Sequence, residues 1–341
     1  MRRRPARIKE CPMRNRNKSL VAIKKSITRH ARVLQRIHEA RQEVRGYTSL
    51  PLAVSGAAAK GTLKKLGATP SKRVFKLLAQ GDSWFDYPPG TDLIDCLNSE
   101  HGHSITNLAV AGSTLNDEAY GPVPRQLFGL PIPLGRKRSE DPDRITELVH
   151  HIQQTKPQAL LLSAGGNDVA GNEFFSFLNN ANSQLPAVNA DVLNGVVNGT
   201  FKAAYQYLLD TALAAAGDSR IAMPIFIHGY DYPWPDGRAL NLFFGWKIGP
   251  WFDEAFSLKN YPNRNGTDLA ARRRILVQFI DAVNNMQKDL VASPRYAGKV
   301  FYVNLVGTLR SVSDWANELH PANSGFRALA AKFDAALQKN I

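Results

Sequence analysis

Five short apolar runs, each followed by a longer amphipathic segment, constrain this chain more than any other feature of its sequence. The runs are Val74–Ala79, Ile105–Val110, Ala159–Ser163, Ile221–Ile227 and Lys299–Val306. Helical patterns lie around 92–98, 143–155, 197–216, 268–291 and 324–338. Strands that alternate with helices pair in parallel, and their crossovers cover both faces of the sheet. Ala159–Ser163 and Ile221–Ile227 are apolar almost throughout, as central strands buried on two sides should be. The expected fold class is therefore α/β with a five-stranded parallel sheet. The intervals 118–142, 170–195 and 231–266 are too long for simple connections and read as insertions.

The net charge of +14 suggests a nucleic-acid binder until it is divided along the chain. Residues 1–76 hold 21 Lys and Arg against Glu10, Glu39 and Glu43, a net +18, which leaves 77–341 at −4. Any contact with nucleic acid or an anionic membrane is therefore expected from residues 1–76 alone. Within that stretch Leu20, Ile23, Ile27, Ala31, Leu34, Ile37 and Val44 form one apolar helical stripe opposite Lys24, Lys25, Arg29, Arg32, Arg36 and Arg41. Such a helix either lies on an anionic surface, addresses the protein to a compartment, or packs on the body by its stripe. Residues 48–73, with Pro51, Gly56, Gly61, Gly67 and Pro70, read as linker. The chain thus divides into a basic helical extension and linker, 1–73, and a folded body, 74–341.

No apolar region backs the N-terminal arginines, so no secretory signal is expected, and no run is long enough for a membrane-spanning helix. Cytoplasm is the default compartment, with non-classical export or organelle targeting as alternatives. Cys11 and Cys96 are the only cysteines and form no CxxC pair. His101, His103, His150 and His151 lack partners at metal-ligand spacing in the sequence, so no metal site is expected.

In open α/β sheets ligands bind beyond the carboxyl ends of the strands, so the residues that follow each strand deserve the closest reading. After the first comes Gly81-Asp82-Ser83-Trp84, a serine at a strand-to-helix turn, where its hydroxyl is exposed and its N–H lies near a helix start. After the second comes Ala111-Gly112-Ser113-Thr114, where a glycine lets a backbone N–H approach a ligand closely. Gly165-Gly166-Asn167-Asp168 follows the third and can aim an amide donor. After the fifth, Asp314-Trp315-Ala316-Asn317-Glu318-Leu319-His320-Pro321 supplies an imidazole able to act as general base. Each block alone is weak. Together they provide a nucleophile, oxyanion donors and a base at one edge of one sheet, which is what acyl transfer requires.

The ordered blocks GDSW, AVAGST, GGND and NELHP resemble the SGNH (GDSL-type) serine hydrolase superfamily across residues 74–341. The resemblance implies a flavodoxin-like three-layer α/β/α sandwich and cofactor-free esterase or lipase activity on a small-molecule acyl ester or lipid. By matching position it implies Ser83 as nucleophile and His320 as base. Gly112 and Asn167 would then be the oxyanion donors beside the Ser83 N–H.

The chain departs from that pattern at Asn317, where the family usually carries an aspartate. An amide oxygen can hold the Nδ1–H of His320 but cannot stabilise imidazolium by charge. Asn317 is favoured by position; Asp314, Glu318 and a main-chain carbonyl are the other candidates to orient His320.

Tyr230, Tyr232, Trp234, Phe243, Phe244, Trp246, Trp251, Phe252 and Phe256 crowd the insertion after the fourth strand, as a wall for an acyl chain or sugar ring or as a small core of its own. His228, at the end of that strand, is either a pocket residue or a structural imidazole. The alternative functions are a carbohydrate O-deacetylase using the same residues, and a non-catalytic hydrolase-fold protein that binds anionic partners through its N-terminus. Oligomeric state is not legible.

Overall fold

The computed structural model describes residues 72–341, apart from 88–89, 124–125, 128–129, 132–142 and 242–246. The basic stripe, nearly all of the linker, and Phe243, Phe244 and Trp246 lie outside the described residues.

Five strands form one parallel sheet: β1 (Lys76–Gly81), β2 (Ser104–Asn107), β3 (Ala159–Ser163), β4 (Ile225–His228) and β5 (Val300–Val303). Their order across the sheet is β2-β1-β3-β4-β5. The register sets Leu77 beside Ala159 and Gly81 beside Ser163, then Leu160 beside Ile225 and Phe226 beside Phe301. This order reverses direction between β1 and β3, and the gap above their carboxyl ends is where such sheets hold ligands.

Six principal helices connect and flank the strands: α1 (Leu93–Ser99), α2 (Leu115–Tyr120), α3 (Arg144–Thr155), α4 (Lys202–Asp218), α5 (Gly266–Ala292) and α6 (Asn323–Asn340). Strand side chains alternate between two buried layers, as a period of two demands. Leu78, Leu160, Leu162, Ile225 and Ile227 pack with Leu115, Leu148, Leu208 and Phe279 from α2 to α5. Leu77, Ala79, Leu161 and Phe226 face the other way, onto Leu93 and Leu97 of α1 and Phe326, Leu329 and Phe333 of α6. The result is a three-layer α/β/α sandwich, the expected fold class.

Helix starts follow local chemistry. Asp92 and Thr114 cap α1 and α2 in reciprocal boxes with Asp95 and Asp117, and the Asn265 side chain accepts the N–H groups of Thr267 and Asp268 at the head of α5. The long intervals carry small elements of their own. Residues 170–195 include the helices Phe174–Phe177 and Ala190–Asn194, and a π-helical turn, Gly195–Phe201, leads into α4. Residues 231–266 include the helix Asp253–Leu258, and Gln126–Leu127 pairs with Leu130–Pro131 within 118–142. Among the described residues no helix is long and apolar enough to cross a membrane.

Candidate active site

Gly81 closes β1 where two chains nearly touch: a Cβ there would lie 2.8 Å from the Ser163 Cβ and 2.9 Å from the Ser163 carbonyl oxygen. Only glycine allows β1 and β3 to approach this closely at the head of the turn that carries Ser83. The next residue, Asp82, is buried. Its carboxyl accepts the Trp84 N–H at 2.9 Å, the Ser163 hydroxyl at 2.7 Å and the Tyr230 hydroxyl at 2.6 Å. Burial pushes the Asp82 carboxyl up, and the three donors oppose that shift. The turn that carries Ser83 is thus pinned to β3 and to the residues just past β4.

His320 comes from the loop after β5 and reaches across the sheet. Its Nε2 lies 2.7 Å from the Ser83 Oγ, across 237 residues of sequence. Its Nδ1 lies 3.0 Å from the Asn317 Oδ1. That oxygen also accepts the N–H groups of Leu319 and His320, each at 2.9 Å. Backbone N–H groups only donate, so they fix which end of the amide faces the ring. Nδ1 therefore carries the proton and Nε2 is free to accept one from serine. Burial lowers His320 to about 3, so the imidazole is neutral at ordinary pH. The Tyr87 ring stacks on it with centroids 4.5 Å apart, and Trp251 meets it edge-on at 5.2 Å.

The two charged candidates for orienting His320 are engaged elsewhere. Asp314 accepts the Ser311 N–H at 2.8 Å and the Ser311 hydroxyl at 3.0 Å, closing a one-turn helix, and that N–H holds its carboxyl below the usual range. Ser311-Val312-Ser313-Asp314 is a capping-box spacing, a signal legible in the sequence. Glu318 is fully buried and faces away from the imidazole. It accepts backbone N–H groups from Gly237 at 2.8 Å, Trp251 at 2.7 Å, Phe252 at 2.8 Å and Asp253 at 3.2 Å. Burial still raises it to about 7. Glu318 therefore ties the aromatic insertion to the histidine loop.

Gly112 has φ +82°, a left-handed conformation, with open space where a Cβ would stand. Neither its N–H nor that of Ser83 donates to another group among the described residues. The Asn167 amide donates to the Ser113 carbonyl at 2.9 Å, which joins the second and third blocks and leaves its other N–H available. The next residue, Asp168, accepts the Leu115 N–H at 2.7 Å and so fastens the start of α2 to the same loop; burial raises it to about 7. The sequence drew no attention to Asp168, Asp82 or Tyr87 as separate contributors, because each acts through a partner distant in the chain.

A small apolar cavity of about 20 Å³, roughly the room of one water molecule, is lined by Trp84, Gly165, Gly166, Phe252, Trp315 and Leu319, among others. Three of these adjoin Ser83, Asn167 and His320 in sequence. Part of the aromatic insertion forms the small core expected as one of its two roles. Phe252 and Phe256 pack on Phe174 at 5.1 and 5.2 Å as a local core, while Trp251 meets the site histidine. His228 is a core imidazole, stacked on Trp84 at 5.6 Å and lowered to about 4 by burial. His103 and His101 find a carboxylate that spacing did not reveal: Asp334, at 3.0 and 3.3 Å, which also pairs with Lys72 at 2.9 Å. Among the described residues no group of three or more His, Cys, Asp or Glu could hold a metal.

No family model and no curated protein matches the chain. Among solved structures it is similar to the lipase Lip_vut3 from a goat rumen metagenome, with 12% identity and a TM-score of 0.43 over 77% of this chain and 97% of that one. An extracellular lipase from Streptomyces rimosus gives 14% identity and 0.44 over 76% and 99%. A carbohydrate esterase family 3 structure from Talaromyces cellulolyticus gives 13% and 0.39 over 79% and 100%. The four blocks that carry the SGNH resemblance follow β1, β2, β3 and β5 of the sheet. The chemistry is left to the side chains above.

Proposed function

We propose that this chain is a serine ester hydrolase that works through an acyl-enzyme on Ser83. The observation that carries the reading is the relay of Ser83 Oγ to His320 Nε2 at 2.7 Å and His320 Nδ1 to Asn317 Oδ1 at 3.0 Å, which leaves the unprotonated ring nitrogen facing the hydroxyl.

In the first half-reaction the Ser83 oxygen attacks the ester carbonyl carbon while its proton passes to His320 Nε2. The carbonyl electrons collect on oxygen, and the N–H groups of Ser83 and Gly112 and the Asn167 amide are its donors. The tetrahedral species collapses, His320 returns the proton to the leaving alkoxide, and the alcohol departs. Water then attacks the acyl-serine with His320 again taking the proton, and the acid and free serine are released.

Mass-spectrometric mapping of a fluorophosphonate adduct tests the reading, together with turnover of a short-chain p-nitrophenyl ester. Labelling at Ser83, and loss of both labelling and turnover in Ser83→Ala, is the expected result. An adduct on another residue, or undiminished turnover in Ser83→Ala, overturns it.

A further inference from the structure

A base held by a neutral amide lacks the charge that would steady its protonated form, and neither nearby carboxylate touches it. We propose that Tyr87 is the positioning residue that compensates: its hydroxyl holds the Asn317 amide in the productive orientation, and its ring face steadies the imidazolium formed as Ser83 attacks. The proposal rests on the reading of Ser83 and His320 as nucleophile and base.

The first half concerns orientation. An asparagine can turn either end of its amide toward a neighbour, and only the oxygen can hold the Nδ1–H of His320. The Leu319 and His320 N–H groups favour the oxygen on that side. The amide nitrogen then points into a buried region, where an unpaired N–H would be costly. Tyr87 supplies the acceptor, its hydroxyl oxygen receiving the Asn317 Nδ2–H at 3.2 Å. The hydroxyl, the amide and the imidazole thus form one hydrogen-bonded row, in which each member polarises the next.

Charge is the second half. The Tyr87 and His320 rings lie nearly parallel, 25° apart, with centroids separated by 4.5 Å. A positive charge over an aromatic face is attracted by the ring's negative face, more strongly where water is excluded. Burial raises the Tyr87 phenol, so it stays neutral and offers this face without an anion. The attraction is weak while the imidazole is neutral and strong once it is protonated, so it favours the transition state over the resting enzyme. Tyr87 and Asn317 keep their own protons throughout: the only proton that moves passes from Ser83 to His320 and on to the leaving alcohol.

The experiment is a double-mutant cycle on the full chain, with kcat and KM measured separately on a short p-nitrophenyl ester. Tyr87→Leu should lower kcat roughly tenfold with KM little changed, and Tyr87→Phe, which keeps the ring, about threefold. In an Asn317→Asp background both losses should shrink to less than about twofold, because a carboxylate has two equivalent oxygens and brings its own charge. Equal fold-losses in the two backgrounds, or a loss confined to KM, overturn the proposal. If Tyr87→Leu fails to give a cooperative thermal transition, Tyr87→Phe alone carries the comparison, and the same shrinkage is required. Ser83→Ala separates the two layers. An inactive Ser83→Ala with an uncoupled Tyr87 cycle sinks only the role of Tyr87, whereas an active one removes the nucleophile on which both readings stand.

Discussion

Tyr230 donates its hydroxyl to the Asp82 carboxyl at 2.6 Å, joining the residue before Ser83 to one just past β4, 148 positions later. The same hydroxyl oxygen accepts the Gly166 N–H at 3.2 Å, so one phenol braces both the serine turn and the loop that carries Asn167. Tyr230→Phe leaves a buried carboxyl oxygen and a backbone N–H unpaired. It should cost about 1–3 kcal/mol of stability in urea denaturation. Turnover of a p-nitrophenyl ester should fall as well, because donor and nucleophile lose a common support.

Asn167→Ala removes an amide whose one N–H is already occupied by Ser113. The other N–H is the proposed oxyanion donor. Its loss should lower kcat by about 10² to 10³, equivalent to roughly 3–4 kcal/mol of barrier, with little change in KM. Steady-state kinetics on a short-chain ester decides the point: equal losses in binding and turnover would assign the amide to substrate positioning instead.

Asn317→Asp should move the acid limb of the pH–rate profile upward. In the wild type burial holds His320 at about 3, and protonation of the base limits turnover only near that value. A carboxylate 3 Å away stabilises imidazolium, so the ring keeps its proton to higher pH and activity is lost earlier on acidification. A variant profile as flat as that of the wild type, in kcat/KM measured from pH 4 to 8, would contradict the assignment of Asn317 as the partner of Nδ1.

Glu318 gives a pH signature of stability with a definite sign. Its folded value, about 7, stands above the ordinary 4.5, so the native state favours the protonated carboxyl. The stabilisation is complete below 4.5 and is lost as pH rises through 7, at up to about 1.4 kcal/mol per pH unit. Glu318→Gln abolishes this titration. The difference in unfolding free energy, wild type minus variant, should therefore shrink from pH 4.5 to 7. A difference that grows would mean that the four backbone donors outweigh burial.

The sheet and the relay were legible in the sequence for reasons that can be named. Ala159–Ser163 matches β3 residue for residue, because burial on both faces leaves an uninterrupted apolar run between Pro157 and the Gly165-Gly166 turn. The run Ile221–Ile227 overreaches at its start: Pro224 has no N–H for the ladder, and β4 begins at Ile225. The last run overreaches at its end, since β5 stops at Val303 before the polar Asn304. Ser83, His320 and Asn317 could be singled out because each sits in a short block, GDSW or NELHP, that follows a strand run. The supports could not. Asp82 with Tyr230, Asp168 with Leu115 and Tyr87 with Asn317 are pairs chosen by topology, and nothing local marks which residue meets which. Glu318 misleads for a related reason: one position along a bent loop turns its carboxyl from the imidazole toward the insertion.

The separation of 237 positions between Ser83 and His320 has a practical outcome. A fragment that ends before the last strand, or a chain clipped so that its two ends part, keeps one half of the proposed pair and should be chemically silent. On the proposed mechanism, ester turnover is thus a readout of native assembly as well as of catalysis: the first hydrolysed bond during refolding would time the moment at which the carboxyl-terminal loop docks over the opening strand.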